Sequence, residues 1–278
     1  HRDLHSFPTR RSSDLGIQNR LLRYACWNPV LYNTGKKILL FYKVGPTPST
    51  WWGMLMTSEN EGKSWTEGAR LPRNIFGPIK NKPVLLDNGE LICPSSTEKD
   101  GWRIHMEFTP DFGQTWERTA PLNEPPTEAI QPAVITHKGG KIQLLCRSRS
   151  SKILTSESID NGYSWDPLTE TELPNPNSGI DAVTLNDGRQ LLVYNHLAQG
   201  RNMLNIAVSD DGVKWQAAVL LENDIEGTEF SYPAVIQTAD VLAHITYTWK
   251  RMLIKHVVVD PGKIKSIPFA NGEWPSEK

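Results

Sequence analysis

Thr109-Pro110-Asp111-Phe112-Gly113-Gln114-Thr115-Trp116 and Ser158-Ile159-Asp160-Asn161-Gly162-Tyr163-Ser164-Trp165 are two copies of one pattern, Ser/Thr-x-Asp-x-Gly-x-x-Trp. Degenerate copies flank them: Ser58, Asn60, Gly62 and Trp65, with Asn for Asp, and Val208, Asp210, Gly212 and Trp215, with Val first. The four tryptophans lie 51, 49 and 50 residues apart, a spacing that chance does not produce four times and that marks a repeated supersecondary unit. Each copy reads as a β-hairpin turn. Asp or Asn folds its side chain onto the following backbone amides, Gly takes a positive-φ position, and Trp caps the adjoining apolar layer. These residues are expected to hold the fold together rather than to touch a substrate.

Ahead of each turn stands a pair of apolar strands around a polar link. The pairs are Pro29 to Tyr32 with Ile38 to Tyr42, Pro83 to Leu86 with Leu91 to Pro94, and Pro132 to Ile135 with Ile142 to Cys146. Ala182 to Leu185 with Leu191 to Tyr194, and Pro233 to Ile236 with Leu242 to Tyr247, complete the set. No helical periodicity of any length interrupts them. Five hairpins, each followed by a third strand and usually a Trp turn, predict an all-β propeller of five four-stranded blades.

Composition agrees and narrows the function. The chain has 278 residues with 38% hydrophobic and 22% charged, and 10 Trp, 20 Gly and 20 Pro suit an all-β repeat. A formal net charge of -1 gives no global bias toward nucleic acid, and no stretch approaches the roughly 20 apolar residues that span a bilayer. Cys26, Cys93 and Cys146 are too few and too dispersed for a disulfide scaffold or a zinc site. No phosphate-cradling glycine loop and no calcium loop of defined spacing is visible, so no cofactor is expected.

The first residues read differently. His5 to Leu15, HSFPTRRSSDL, back-translate without a break to a common short-read sequencing adapter, so residues 1–15 are expected to be non-native and 16–278 to form the propeller. On that reading the natural upstream sequence, including any signal peptide, is lost.

Blade topology sorts the remaining residues. Loops that lead into a blade's first strand and leave its second converge on the central channel, opposite the Trp turns. That face collects Trp27 and Asn28; Lys80, Asn81, Lys82, Glu98 and Arg103; Glu128, Gln131, Arg147 and Arg149. Asn177, Asp181, His196, Arg201, Glu229, Tyr232, Trp249, Lys250 and Arg251 follow from the later blades. Bases outnumber acids there, which points to an anionic ligand, and the flanking Trp51, Trp52, Trp102 and Trp249 point to a carboxylate-bearing sugar.

With these residues in view, the chain resembles the sialidase superfamily, whose Asp-boxes, or BNR repeats, the Trp turns match. Cys26-Trp27-Asn28-Pro29-Val30 is similar to that family's second blade, and Gln131-Pro132-Ala133-Val134 with Arg147 to its fourth. There the family carries a glutamate at the strand start and the second of three substrate arginines at the exit. Arg201 falls where the third arginine sits and Tyr232 on the nucleophilic tyrosine. The resemblance implies a six-bladed propeller whose first blade, with the first arginine and an acid/base aspartate, is largely missing here. It also implies a secreted or periplasmic protein.

What the resemblance implies chemically is an exo-glycosidase that removes a terminal acidic sugar of the sialic-acid kind. An arginine cluster grips the carboxylate, and a neutral phenol approaches the anomeric carbon without the repulsion an aspartate would meet. The phenol needs a base, and the departure lies there, because Gln131 stands at the glutamate's position and an amide takes no proton. Either Glu128 or Glu229 substitutes, or Tyr232 is not a nucleophile. The site set is therefore Tyr232, Gln131 and Glu229 for catalysis, and Arg147, Arg201, Asp181, Arg149, Lys82 and Trp27 for binding, with no metal and with an acidic glycan as partner. A monomer is expected. Two other classes stay open, a propeller enzyme acting on a uronate polysaccharide, by hydrolysis or as a lyase, and a non-catalytic carbohydrate-binding propeller.

Overall fold

A computed structural model describes residues 17–19, 22–224, 226–269 and 272–275. The expected non-native segment 1–15 lies outside the described residues. Among the described residues a two-stranded pair, Ile17–Asn19 with Leu22–Arg23, comes first, and five larger antiparallel sheets then follow one another along the chain, each a blade built outward from the channel.

The first blade runs Cys26–Asn33, Ile38–Val44, Trp52–Ser58 and Ala69–Arg70. The second has Val84–Leu85, Leu91–Thr97, Arg103–Thr109 and Glu117–Arg118, and the third Ala129–Thr136, Ile142–Ser148, Lys152–Ser158 and Thr169–Pro174. Asp181–Thr184, Gln190–Tyr194, Met203–Ser209 and Trp215–Asn223 make the fourth. The fifth departs from expectation. It has three strands, Phe230–Gln237, Ala243–Trp249 and Leu253–Val259, and the chain then returns to add Ile267–Pro268 to the outer edge of the fourth blade.

A middle strand is buried on both faces where its blade is stacked between two others, so Ile142–Ser148 has no exposed residue. Four apolar layers fill the spaces between successive blades. Phe41 and Leu55 meet Leu91 and Cys93, and Phe108 and Ile92 meet Val134 and Leu144. Leu145 and Ile153 meet Tyr194 and Ala207, and Val193 and Ile206 meet Val235 and Tyr247. Between the fifth blade and the first no such layer closes. Ile236, Ile254 and Val258 on one side and Leu31 on the other remain about half exposed or more, and Ile236 and Leu31 line a cleft of about 670 Å³.

The turns work as the sequence predicts, with one correction. In the third blade Ser158 donates to Asp160, Gly162 N donates to Ser158 Oγ, and Trp165 Nε1 donates to the Gly162 carbonyl. A Cβ at Gly162 would stand 2.6 Å from Ile92 of the preceding blade, so glycine sets how closely blades stack. The fourth turn is one residue shorter than read from sequence. Ser209 and Asp211, not Val208 and Asp210, supply the hydroxyl and the carboxylate, and Gly212 N donates to Ser209 Oγ. Each motif tryptophan packs into the layer with the blade before it: Trp116 between blades one and two, Trp165 between two and three, Trp215 between three and four. Trp65 does the same on the outer face of blade one, where no described blade precedes it.

Candidate functional site

Three blades begin with an X-Pro pair that breaks the strand register: Asn28-Pro29, Gln131-Pro132 and Tyr232-Pro233. Proline gives no ladder N–H, and the residue before it is held in the left-handed region, at φ +43° for Asn28, +56° for Gln131 and +53° for Tyr232. Such bulges re-aim a side chain, and strain of this kind persists only where the surroundings enforce it. Here two of the three side chains meet. A Cβ at Gly179 would lie 3.2 Å from Tyr232 Cδ1 and 3.7 Å from Gln131 Oε1, so both stand over the same glycine, together with the Lys80 stem.

Arg147 ends the second strand of blade three and is 6% exposed. Its Nε donates to Asn177 Oδ1 at 2.9 Å, its Nη2 to the Asn177 carbonyl, and its Nη1 to Gln131 Oε1 at 3.3 Å. Arg201, from the loop ahead of Met203–Ser209, donates through Nη2 to that same Asn177 carbonyl at 3.2 Å and lies 5.7 Å from the Tyr232 ring centre. Two guanidinium groups from different blades thus share one oxygen beside Tyr232, which is itself 45% exposed. Burial lowers the Arg147 pKa and the Arg201 charge adds to that, while the Tyr232 phenol and Glu98 oppose it. An added anion would relieve this repulsion.

Glu229 is engaged elsewhere. Burial alone would raise its pKa, but a hydrogen bond from Ser231 and contacts with Arg251 and Arg201 bring it below the ordinary value. Such a carboxylate is a weak proton acceptor. Glu128 pairs with Arg149 at 3.0 Å and accepts from Trp102 N at 3.3 Å. Arg149 also lies 4.5 Å over the Trp102 ring, against 5.4 Å for Arg147, so both guanidinium groups border the same indole.

The remaining sequence candidates have partners within the chain. Lys82 pairs with Asp181 at 3.0 Å and donates to the Ala182 carbonyl at 2.7 Å, and Asp181 accepts from Val235 N at 2.8 Å. Lys80 donates to Asn81 Oδ1 and to the Ile180 carbonyl, both at 2.8 Å, and to the Pro233 carbonyl; removal from water brings its pKa down to about 7. These contacts lace blade two to blades four and five across the channel. Trp27, in the first strand of blade one, donates its indole N–H to the Gly45 carbonyl and packs edge-on to Trp51, so its contacts are with a blade-one loop. Among the described residues no cluster of His, Cys, Asp and Glu is suited to a metal ion, and no helix is long and apolar enough to cross a membrane.

Asn177, placed on this face from the sequence without a role, offers both arginines a main-chain oxygen, which every residue carries. Glu98 was placed on this face without a role. Half-buried, it has a raised pKa, from burial first, with Arg147, the Trp102 indole and Arg149 pulling the other way.

Repeated Asp-turn blades around a channel where Arg147 and Arg201 converge define a β-propeller of the BNR-repeat kind. The chain belongs to the BNR repeat-like domain family, whose sequence profile it matches over residues 9–245. Among solved structures it is similar to the Hadza microbial sialidase Hz136, at 19% identity and TM-score 0.72, covering 87% of this chain and 54% of that one. It is also similar to the intramolecular trans-sialidase from Ruminococcus gnavus, solved with oseltamivir carboxylate, at 17% identity and TM-score 0.65, covering 88% and 60%. Among curated sequences it is 25% identical over 222 residues to the vacuolar protein sorting/targeting protein 10 of Coccidioides posadasii. That stretch is 71% of this chain and 14% of the fungal protein, so the chain spans a small part of that relative and little more than half of either sialidase. At these identities the likeness to the solved structures is one of fold.

Proposed function

We propose that this chain is the larger part of a six-bladed glycosidase that binds a terminal acidic sugar by its carboxylate and cleaves the bond to the next residue. The observation that carries the reading is the convergence of Arg147 and Arg201 on the Asn177 carbonyl, with Tyr232 and Gln131 against Gly179 beside them. Two guanidinium groups offer a carboxylate paired, charge-assisted hydrogen bonds, each worth roughly 1.5 to 3 kcal/mol. Tyr232 Oη then attacks the anomeric carbon as the glycosidic C–O bond breaks. The phenol proton passes to water, the departing oxygen takes a proton from the acid/base aspartate that the resemblance implies, and water hydrolyses the glycosyl-tyrosine. Gln131 is an amide and cannot accept the phenol proton, so solvent takes it in this chain.

A sixth blade belongs between blades five and one. The unpaired Leu253–Val259 edge, the half-exposed Ile236, Ile254 and Val258, and Trp65 set for a preceding neighbour support it. The resemblance puts the first arginine and the acid/base aspartate on that upstream blade. It also supports an exported protein, and a monomer would run at its own mass in light scattering.

A binding-only reading has an observation of its own, since the Gln131 amide and Glu229 are both occupied by arginines. Restoring the natural upstream sequence and assaying a fluorogenic sialoside separates the two. Hydrolysis should fall by roughly 10³-fold or more in Tyr232→Phe and about 100-fold in Arg147→Ala. Sugar binding without turnover in the unaltered protein would leave the binding-only reading.

A further inference from the structure

A second cleft, of about 490 Å³, opens between the loops of blades one and two on the same face as the arginine pocket. Its apolar lining includes Trp51, Ile75 and Phe76, and its rim carries Arg70, Arg73 and Lys99. No acidic residue lines it, and none of the three cations makes a salt bridge among the described residues. Most other lysines and arginines on this face are paired, Lys82, Arg149, Arg201, Lys250 and Arg251 among them, so the contrast is local.

The walls are braced. Phe76 N and Gly77 N donate to the buried Glu107 carboxylate at 3.0 and 2.6 Å, and Arg118 donates to the Asn74 carbonyl at 2.8 Å, which fixes the 72–77 loop. On the other side Gly45 leaves Trp51 room to close in, since a Cβ there would lie 2.5 Å from the Trp51 Cα, and Trp27 packs against Trp51 edge-on. A rigid aromatic wall beside unpaired cations suits a sugar ring that carries a negative charge: the ring's C–H face lies on the aromatics and the anion meets the guanidinium and ammonium groups.

The cleft is joined to the arginine pocket through one loop. Thr97 lines it, the Ser49 hydroxyl donates to the Glu98 carbonyl, and the Glu98 carboxyl is near enough to Arg147 and Arg149 to feel both charges. We propose that this cleft is a second subsite, which takes a further acidic residue, carboxylated or sulfated, of the glycan whose terminal sugar sits at Arg147 and Arg201. The proposal rests on the functional reading above for the first sugar and on the cleft alone for the second.

The test compares two substrates with the upstream sequence restored: a sialoside with a neutral fluorogenic aglycone, and an oligosaccharide carrying two adjacent acidic sugars. In the double variant Arg73→Ala/Lys99→Ala the ratio of kcat/KM for the diacidic substrate to that for the simple one should fall about tenfold, and the loss should shrink in high salt. An unchanged ratio overturns the proposal. Titration of tryptophan fluorescence with the diacidic oligosaccharide separates this from failure of the glycosidase reading. Arg147→Ala should still bind the oligosaccharide, and the Arg147→Ala/Arg73→Ala/Lys99→Ala triple variant should not. Equal binding by these two variants would show the cleft empty of function, whether or not any substrate is hydrolysed.

Discussion

The outer turns and the channel mouth are built from the same repeat and use it in opposite ways. At the turns, blades one to four repeat the same bonds: a hydroxyl from Ser58, Thr109, Ser158 or Ser209 meets Asn60, Asp111, Asp160 or Asp211, and a glycine N–H returns to the hydroxyl. At the mouth, each blade starts with something different. Asn28, Gln131 and Tyr232 occupy the same strained position before proline, and Asp181 opens a blade with no proline at all. Where the repeat keeps its residues they hold blades together; where it keeps only the backbone, the side chain is free to specialise.

That contrast is sharpest at Gln131. Its backbone is positioned like Tyr232's, and its amide oxygen accepts from Arg147, a role a carboxylate would fill at least as well. Gln131→Glu therefore supplies a base next to Tyr232 without disturbing the fold. If the channel is catalytic, sialoside hydrolysis by the protein with its upstream blade should rise by roughly 100-fold, the size of one general-base contribution. A variant that binds sugar as before and hydrolyses none would assign the mouth to recognition alone.

A smaller effect is expected at Asn177, which sits in the left-handed region at φ +55°. Asn177→Gly keeps the backbone and the carbonyl shared by both arginines, and loses only the Oδ1 contact to Arg147 Nε at 2.9 Å. One hydrogen bond to a charged group predicts about a tenfold rise in KM with kcat changed far less. A loss confined to kcat would mean the loop positions Tyr232 rather than the arginines.

How far the sequence discloses each region follows from the same difference. Turns are legible because their chemistry is local: Asp160, Gly162 and Trp165 bond within eight residues of one another, so spacing alone shows the hairpin. The fourth turn misled because Val208-Ser209-Asp210-Asp211 offers two registers, and only the ladder of Ser209 opposite Gln190 and Trp215 selects one. The fifth blade's lack of a fourth strand was invisible, since Ile267–Pro268 is too short for any alternation to report which sheet it joins. In the mouth, blade topology put Arg147, Arg201, Gln131 and Tyr232 on one face among many other residues, and only the family resemblance picked them out. The pairing of Lys82 with Asp181 joins residues 99 apart in sequence, and no local pattern carries it.

The smallest predicted effect tests whether the turns are as interchangeable as their bonds suggest. In the first turn Asn60 does what aspartate does elsewhere, accepting from Ser58 Oγ and Ser64 N while its Nδ2 donates to Ser64 Oγ at 2.8 Å. Asp111→Asn should thus cost little at neutral pH. What it removes is a proton linkage. Slight burial would raise the Asp111 pKa, but bonds from Thr115, Thr109 and Gln114 outweigh it and bring the carboxyl down to about 2, below the 3.8 of the free group. A carboxyl with a depressed folded-state pKa stabilises the fold above 3.8 and loses that contribution as pH falls toward 2. Urea midpoints measured at pH 5 and pH 2.5 should therefore differ less in Asp111→Asn than in the unaltered protein, by a few tenths of a kcal/mol on the order of other exposed charge-assisted contacts. Equal differences in the two proteins would mean that this exposed turn is already loosened by water, and that the repeat's stability lies in the tryptophan and glycine contacts between blades.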